Sequence, residues 1–249
     1  VRVGRDGRYG IDASLQGLWV LDPRTDEKRR LLAGEWGHLA WSPDGTQLVV
    51  SNPLQILVTP ADTVELQQLT FEGSNGYPEW SPDGLWISYN SNAGDSVRTW
   101  LIRPDGSDRH AISPPGVPTV MASWFPDGRI LHLRAGGVFV MNRDGTGVTQ
   151  LTTGGGFREC CPVASTDGQR IALARMRDGE LPQVWVMDAN GSDARQLTRH
   201  GGSNPSWSPD GTSVVFSREN WRTNDPGNGV LWVVDVETGT ETQLTTRWP

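Results

Sequence analysis

Trp41-Ser42-Pro43-Asp44-Gly45 decides the fold, because the chain keeps repeating it. The same five residues recur at Trp80–Gly84 and Trp207–Gly211, with a close variant at Trp124-Phe125-Pro126-Asp127-Gly128. Ala164–Gly168 is a weaker copy, and Val3-Gly4-Arg5-Asp6-Gly7 the weakest. The aspartates Asp6, Asp44, Asp83, Asp127, Asp167 and Asp210 are spaced by 38, 39, 44, 40 and 43 residues. Each residue type suits a hairpin turn: proline presets φ, aspartate bonds to the backbone just ahead, and glycine accepts positive φ. A type I turn closed by a glycine bulge joins two antiparallel strands.

Apolar runs follow the turn, as in Leu48-Val49-Val50, Ile87-Ser88-Tyr89 and Val214-Val215-Phe216, and read as a second strand. A third strand recurs as Leu18-Trp19-Val20, Ile56-Leu57-Val58, Trp100-Leu101-Ile102, Val138-Phe139-Val140, Val184-Trp185-Val186 and Leu231-Trp232-Val233. The fourth ends in Leu-Thr, at Thr70, Thr152, Thr198 and Thr245. Four strands per unit and a period near 40 residues predict an all-β fold: a six-bladed β-propeller with four antiparallel strands per blade, one domain over residues 1–249. Val1–Val3 is expected as the innermost strand of the first blade, with no strand exchange at the seam. A chain of 249 residues buries roughly 75% of its unfolded surface, so it needs no disulfide staple.

The pattern Trp-Ser-Pro-Asp-Gly, apolar strand, Leu-Trp-Val, then Gln-Leu-Thr resembles the TolB-type propeller repeat over nearly the whole chain. The resemblance is specific for fold and unspecific for function. It implies a periplasmic or extracellular protein that docks a protein partner, such as an envelope protein or a larger complex. TolB's separate N-terminal domain has no counterpart in the sequence.

Formal net charge is -7 with no Lys/Arg cluster, which argues against nucleic acid. No apolar stretch approaches the ~20 residues of a membrane helix. The sequence begins at Val1 without a signal peptide, as expected of a processed chain or a piece of a longer one. No nucleophile elbow, phosphate loop or metal-ligand spacing is present, so no catalytic residue, metal or cofactor is assigned.

Most of the 12 tryptophans recur with the repeat and are assigned to packing. Trp36 and Trp221 do not recur; they fall on loops that open on one face. Repeat phase places His38, Tyr77, Met121, Cys161 and Asn204 around one mouth of the channel, with Arg158, Glu159, His200 and Arg222 near the rim. The expected site is therefore Trp36, His38, Tyr77, Arg158, Glu159, His200, Asn204, Trp221 and Arg222, contacting a protein partner without catalysis. The alternatives are a glycan or small-ligand binder and the propeller part of an enzyme, a metal-dependent lyase or a serine-peptidase gating domain. Cys160-Cys161 has three readings: two unrelated thiols on opposite strand faces, a vicinal disulfide, or a metal or redox site.

Overall fold

The computed structural model describes residues 2–3, 9–13, 17–22, 25, 27–63, 65–219 and 229–245. Each run of four consecutive strands forms one antiparallel sheet. The N-terminal sheet holds β1 (Arg2–Val3), β2 (Tyr9–Ala13), β3 (Gly17–Asp22) and β4 (Glu27–Leu32). Next come β5 (Leu39–Trp41), β6 (Gln47–Ser51), β7 (Ile56–Pro60) and β8 (Gln67–Gln68). The third sheet is β9 (Asn75–Trp80), β10 (Ile87–Ser91), β11 (Arg98–Ile102) and β12 (His110–Ala111). The fourth is β13 (Val120–Trp124), β14 (Ile130–Arg134), β15 (Gly137–Met141) and β16 (Thr149–Gln150). Then follow β17 (Arg158–Ala164), β18 (Arg170–Met176), β19 (Gln183–Asp188) and β20 (Arg195–Gln196). The C-terminal sheet is β21 (Ser203–Trp207), β22 (Ser213–Glu219), β23 (Gly229–Asp235) and β24 (Glu241–Gln243).

First strands lie innermost. Neighbours in the series β5, β9, β13, β17, β21 touch one another, and β1 lies against both β5 and β21. The sheets thus stand around a central channel.

The expectation of a six-bladed propeller is corrected here: the blades that carry the repeat number five. Five blades of four antiparallel strands, β5 to β24, show the repeat's hairpin turn, with the glycine N–H of Gly45, Gly84, Gly128, Gly168 and Gly211 donating to the carbonyl three residues back. The N-terminal sheet is four-stranded, but its 4–8 turn lies outside the described residues. That segment has no serine, proline or tryptophan, whereas each of the other five turns keeps at least one of them.

Those serines do two jobs at once. Ser42 Oγ donates to Asp44 Oδ1 at 2.6 Å and accepts from the Gln47 N–H at 2.9 Å. Ser81, Ser165 and Ser208 repeat both bonds. These contacts hold the Asp44 carboxyl below the usual range: first the Ser42 hydroxyl, then the Thr46 N–H and hydroxyl.

The Leu-Thr ending has an equally local cause. Thr70, Thr152, Thr198 and Thr245 turn their hydroxyls back to accept an N–H near the start of the third strand, from Ile56, Val138, Val184 and Leu231, at 2.9–3.0 Å. Ser113 does the same for Thr99. Gln68, Gln150, Gln196 and Gln243 donate to the carbonyls of those threonines. Four short outer strands are thereby clipped to their neighbours by side chains, which compensates for their length.

The core sits between neighbouring sheets. Ala172, Val184 and Val186 of one sheet pack against Trp207, Val214 and Phe216 of the next. Trp207 Nε1 crosses that seam to the Val163 carbonyl at 3.1 Å. Trp100, Trp185 and Trp232 are half-buried under arginines, Arg109, Arg175 and Arg218, stacked 4.1–5.1 Å above them.

Antiparallel pairing of β9, β10 and β11 puts the Asp83 turn and the 92–97 loop at opposite ends of the sheet. The loop face therefore carries the 52–55, 92–97 and 177–182 connections together with the loops between sheets.

Candidate functional site at the channel mouth

Four innermost strands break their register at one repeat position. Tyr77 and Pro78 face the single residue Tyr89, Cys161 and Pro162 face Leu173, and Asn204 and Pro205 face Phe216. Met121 and Ala122 face His132 in the same way. These are β-bulges, two residues against one, which re-aim a side chain. The first bulge residue takes positive φ each time: Tyr77 54°, Met121 55°, Cys161 57° and Asn204 50°. Non-glycine residues held there cost on the order of 1 kcal/mol or more each, and such strain gathers at functional sites.

The bulges bring Tyr77, Cys161 and Asn204 together at the loop-side mouth, whereas Met121 packs against the core cluster of Phe125 and Leu131. His38 and Tyr77 bring ring centroids to 3.7 Å, tilted by 32°. Cys161 Sγ lies 3.4 Å from Asn204 Oδ1 and 2.9 Å from Cys160 Sγ. Burial, followed by the charges of Cys161 and Cys160, pushes the Tyr77 phenol above its ordinary range, so it shares a space with the cysteine pair. The reading of the cysteines as side chains on opposite strand faces fails, because the bulge abolishes the alternation it assumed.

The other expected residues divide. Arg158 is exposed at the rim and pairs with Asp178 at 3.1 Å. His200 is exposed on the loop between β20 and β21. Glu159 is withdrawn below the rim, where Arg175 Nε donates to Oε1 at 2.8 Å and the Thr152 hydroxyl to Oε2. Trp36 packs on the cluster of Leu18, Leu32 and Leu39 and donates from Nε1 to the Ala33 carbonyl at 3.0 Å. Trp221 and Arg222 lie outside the described residues.

Two residues on this face were not foreseen. Phe71 is 73% exposed and Leu54 57% exposed. Their loops are tied together: the Asn75 amide donates to the Leu54 carbonyl at 3.1 Å and to the Glu72 carbonyl at 3.0 Å. The available signal was a phenylalanine directly after Leu69-Thr70, where no strand needs one.

The opposite mouth is different in kind. A cavity of about 560 Å³ opens among Trp41, Trp80, Trp124 and Trp207, rimmed by the turn prolines Pro43, Pro82, Pro126 and Pro209. Glu79 is the one charged side chain among its lining residues. Among the described residues no cluster of His, Cys, Asp and Glu could hold a metal ion. No helix among them is long and apolar enough to cross a membrane.

No family model matches the chain. An uncharacterised protein of Agrobacterium fabrum, Atu1656, is 32% identical over 158 residues, 54% of this chain and 53% of that protein. An uncharacterised peptidase of Bacillus subtilis, YuxL, is 39% identical over 74 residues, 29% of this chain and 11% of the peptidase. The chain thus spans about half the length of one curated relative and about a tenth of the other.

Solved structures give closer agreement in shape. A protein assigned as TolB from Agrobacterium tumefaciens superposes with a TM-score of 0.79 at 22% identity, covering 90% of this chain and 86% of that one. TolB from Acinetobacter baumannii gives 0.79 at 21% identity, covering 95% and 62%. An oligogalacturonate lyase from Vibrio parahaemolyticus gives 0.63 at 18% identity, covering 95% and 76%. At these identities the likeness is one of fold: the chain is a β-propeller of the kind seen in TolB proteins.

Proposed function

We propose that the chain is a non-catalytic interaction module that docks a protein partner on its loop face, in the periplasm or outside the cell. The observation that carries this reading is the exposure of Phe71 and Leu54 on loops tied through Asn75, on the same face as the strained polar mouth. An aromatic and an aliphatic side chain held in water by tied loops suit the anchors of a protein interface. His38, Tyr77 and Asn204 supply the polar centre, and Arg158 and His200 supply the rim. Glu159 supports this surface from below. Likeness to the two TolB structures supports a docking role, and the lyase and peptidase relatives keep enzymes in view. The test is quantitative capture from a native extract by the chain and by its Phe71→Ser, Leu54→Ser variant. One partner retained by the chain and lost by the variant supports the reading; equal recovery of every protein by both overturns it.

A second reading rests on the turn-side cavity, whose tryptophan walls suit stacking on a sugar or another small ligand. Saturable quenching of tryptophan fluorescence by an oligosaccharide, abolished by Glu79→Ala, is the result expected of it. Absence of any saturable change across a glycan panel counts against it.

A further inference from the structure

We propose that Cys160 and Cys161 form a reversible thiol–disulfide site in the channel wall, closed by exchange with a small-molecule disulfide. Neither sulfur belongs to the docking reading, and the geometry that joins them is set by the fold.

On a regular strand adjacent side chains point to opposite faces, which keeps neighbouring sulfurs apart. Here the positive φ of Cys161, 57°, turns its side chain back toward Cys160 until the sulfurs sit 2.9 Å apart, both as thiols. The pairing between β17 and β18 is broken between Cys160 and Val163, so Cys161 is released from the ladder. Pro162, which follows, has no N–H to return to the sheet. Both cysteines are half-buried: Cys160 packs against the core cluster that holds Leu173, while Cys161 turns to Asn204 at the mouth, where a small solute reaches it first.

The chemistry balances. The Cys161 thiolate attacks the small disulfide RS–SR, forming Cys161–S–SR and expelling RS⁻. Cys160 then attacks Cys161 Sγ, closing the Cys160–Cys161 bond and expelling the second RS⁻. Two electrons pass from the cysteines to the reagent, and the two thiol protons end on two RSH. Cys160 packs inward on the core cluster while Cys161 faces Asn204, so Cys161 meets the reagent and Cys160 is the resolving sulfur; the Cys161 thiol beside it, and then burial, push the Cys160 thiol above the ordinary cysteine range. Consecutive Cα atoms lie about 3.8 Å apart across a trans peptide, closer than disulfide-bonded residues prefer, so the closed ring is strained and easily reduced. Closure also removes the S–H that points at Asn204 Oδ1, 3.4 Å away, and so changes what the mouth presents to a solute.

The experiment treats the native chain with oxidised glutathione, traps remaining thiols by alkylation, and weighs the tryptic peptide spanning residues 159–170. The expected result is an unalkylated peptide about 2 Da lighter than the dithiol, converted to the doubly alkylated form by prior reduction with dithiothreitol. The same titration in denaturant is expected to show at least about tenfold less ring at equal glutathione ratio, because the bulge is gone. Double alkylation, stable mixed disulfides on both cysteines, disulfide-linked dimers, or equal ring formation with and without denaturant would each overturn the proposal. Cys161→Ser serves as the control that must show no light peptide.

Discussion

Arg175 Nε donates to Glu159 Oε1 at 2.8 Å, with the arginine side chain 10% exposed and the glutamate fully out of solvent. The contact pairs residues of β17 and β18, and the Thr152 hydroxyl ties the same carboxylate to the preceding blade. A buried pair broken on one side leaves an uncompensated charge, at a cost of about 3–5 kcal/mol. Glu159→Ala is therefore expected to lower unfolding free energy by about 3 kcal/mol. Removing both partners together should cost less than the two single changes combined. Chemical denaturation of the three variants checks this. An unchanged midpoint for Glu159→Ala would return the residue to the list of surface-binding candidates.

His132 links stability to pH. It is buried opposite the β13 bulge, its ring stacked 5.8 Å from Phe139, and its Nδ1 has no hydrogen-bond partner. Burial, with help from Arg134, lowers its pKa from 6.5 to about 4. A lowered histidine costs nothing above pH 6.5, where it is neutral folded and unfolded. Between pH 6.5 and about 4 the unfolded chain gains a proton that the folded chain refuses, so stability falls, by about 3 kcal/mol in full. The C-terminal blade carries Phe216 at the equivalent position, so His132→Phe should fit. Thermal melts from pH 7 to 4.5 should be flatter for the variant; parallel decline of both proteins would refute the assignment.

The turn serines predict a repeat-wide effect. Ser42→Ala deletes a donor to the Asp44 carboxylate and an acceptor for the Gln47 N–H, a loss of about 1–2 kcal/mol. Asp44, held below its ordinary pKa, contributes stability present above pH 3.8 and lost as pH falls through its folded value. Adding Asp44→Ala to Ser42→Ala should cost less than Asp44→Ala does alone. A strictly additive pair, measured by denaturation, would show that the hydroxyl and carboxylate act separately. Phe125 in place of serine shows that the backbone turn itself survives without the hydroxyl.

These examples mark what the sequence carried and what it did not. Turn chemistry is local, so Pro43-Asp44-Gly45 and its copies announced their hairpins, but counting Asp6 with the other five aspartates gave one repeat-bearing blade too many. The N-terminal turn segment Val3–Gly7, with no serine, proline or tryptophan, carried least. Repeat phase also placed Tyr77, Cys161 and Asn204 around one mouth. It could not show that they leave the regular strand: a bulge is one extra residue against the partner strand, and a single strand read alone has no partner. For the same reason the meeting of Cys160 and Cys161 was hidden. The Thr70–Ile56 clasp was visible as a recurrent Leu-Thr without its reason, because its partner lies 14 residues away. Exposure was hardest of all: nothing in the composition distinguishes Phe71 in water from Phe216 in the core.

Trp36 and Phe71 together decide where the loop face ends and packing begins. Both are aromatics outside the repeat, and sequence alone favoured Trp36 as a contact residue. The structure sets Trp36 against Leu18, Leu32 and Leu39 with its indole N–H bonded within its own loop, whereas Phe71 projects into solvent. Truncating a packed tryptophan removes buried apolar area worth about 25 cal/mol per Å² and leaves a hole. Trp36→Ala is thus expected to lower unfolding free energy by about 2 kcal/mol. Phe71→Ala buries nothing less than before and should stay within about 0.5 kcal/mol of the parent. If the partner contacts Phe71, the second variant loses affinity at unchanged stability, and isothermal titration beside thermal melts separates the two effects. A Phe71→Ala variant that melts earlier while Trp36→Ala does not would invert the assignment and move the docking face toward the loop of Trp36.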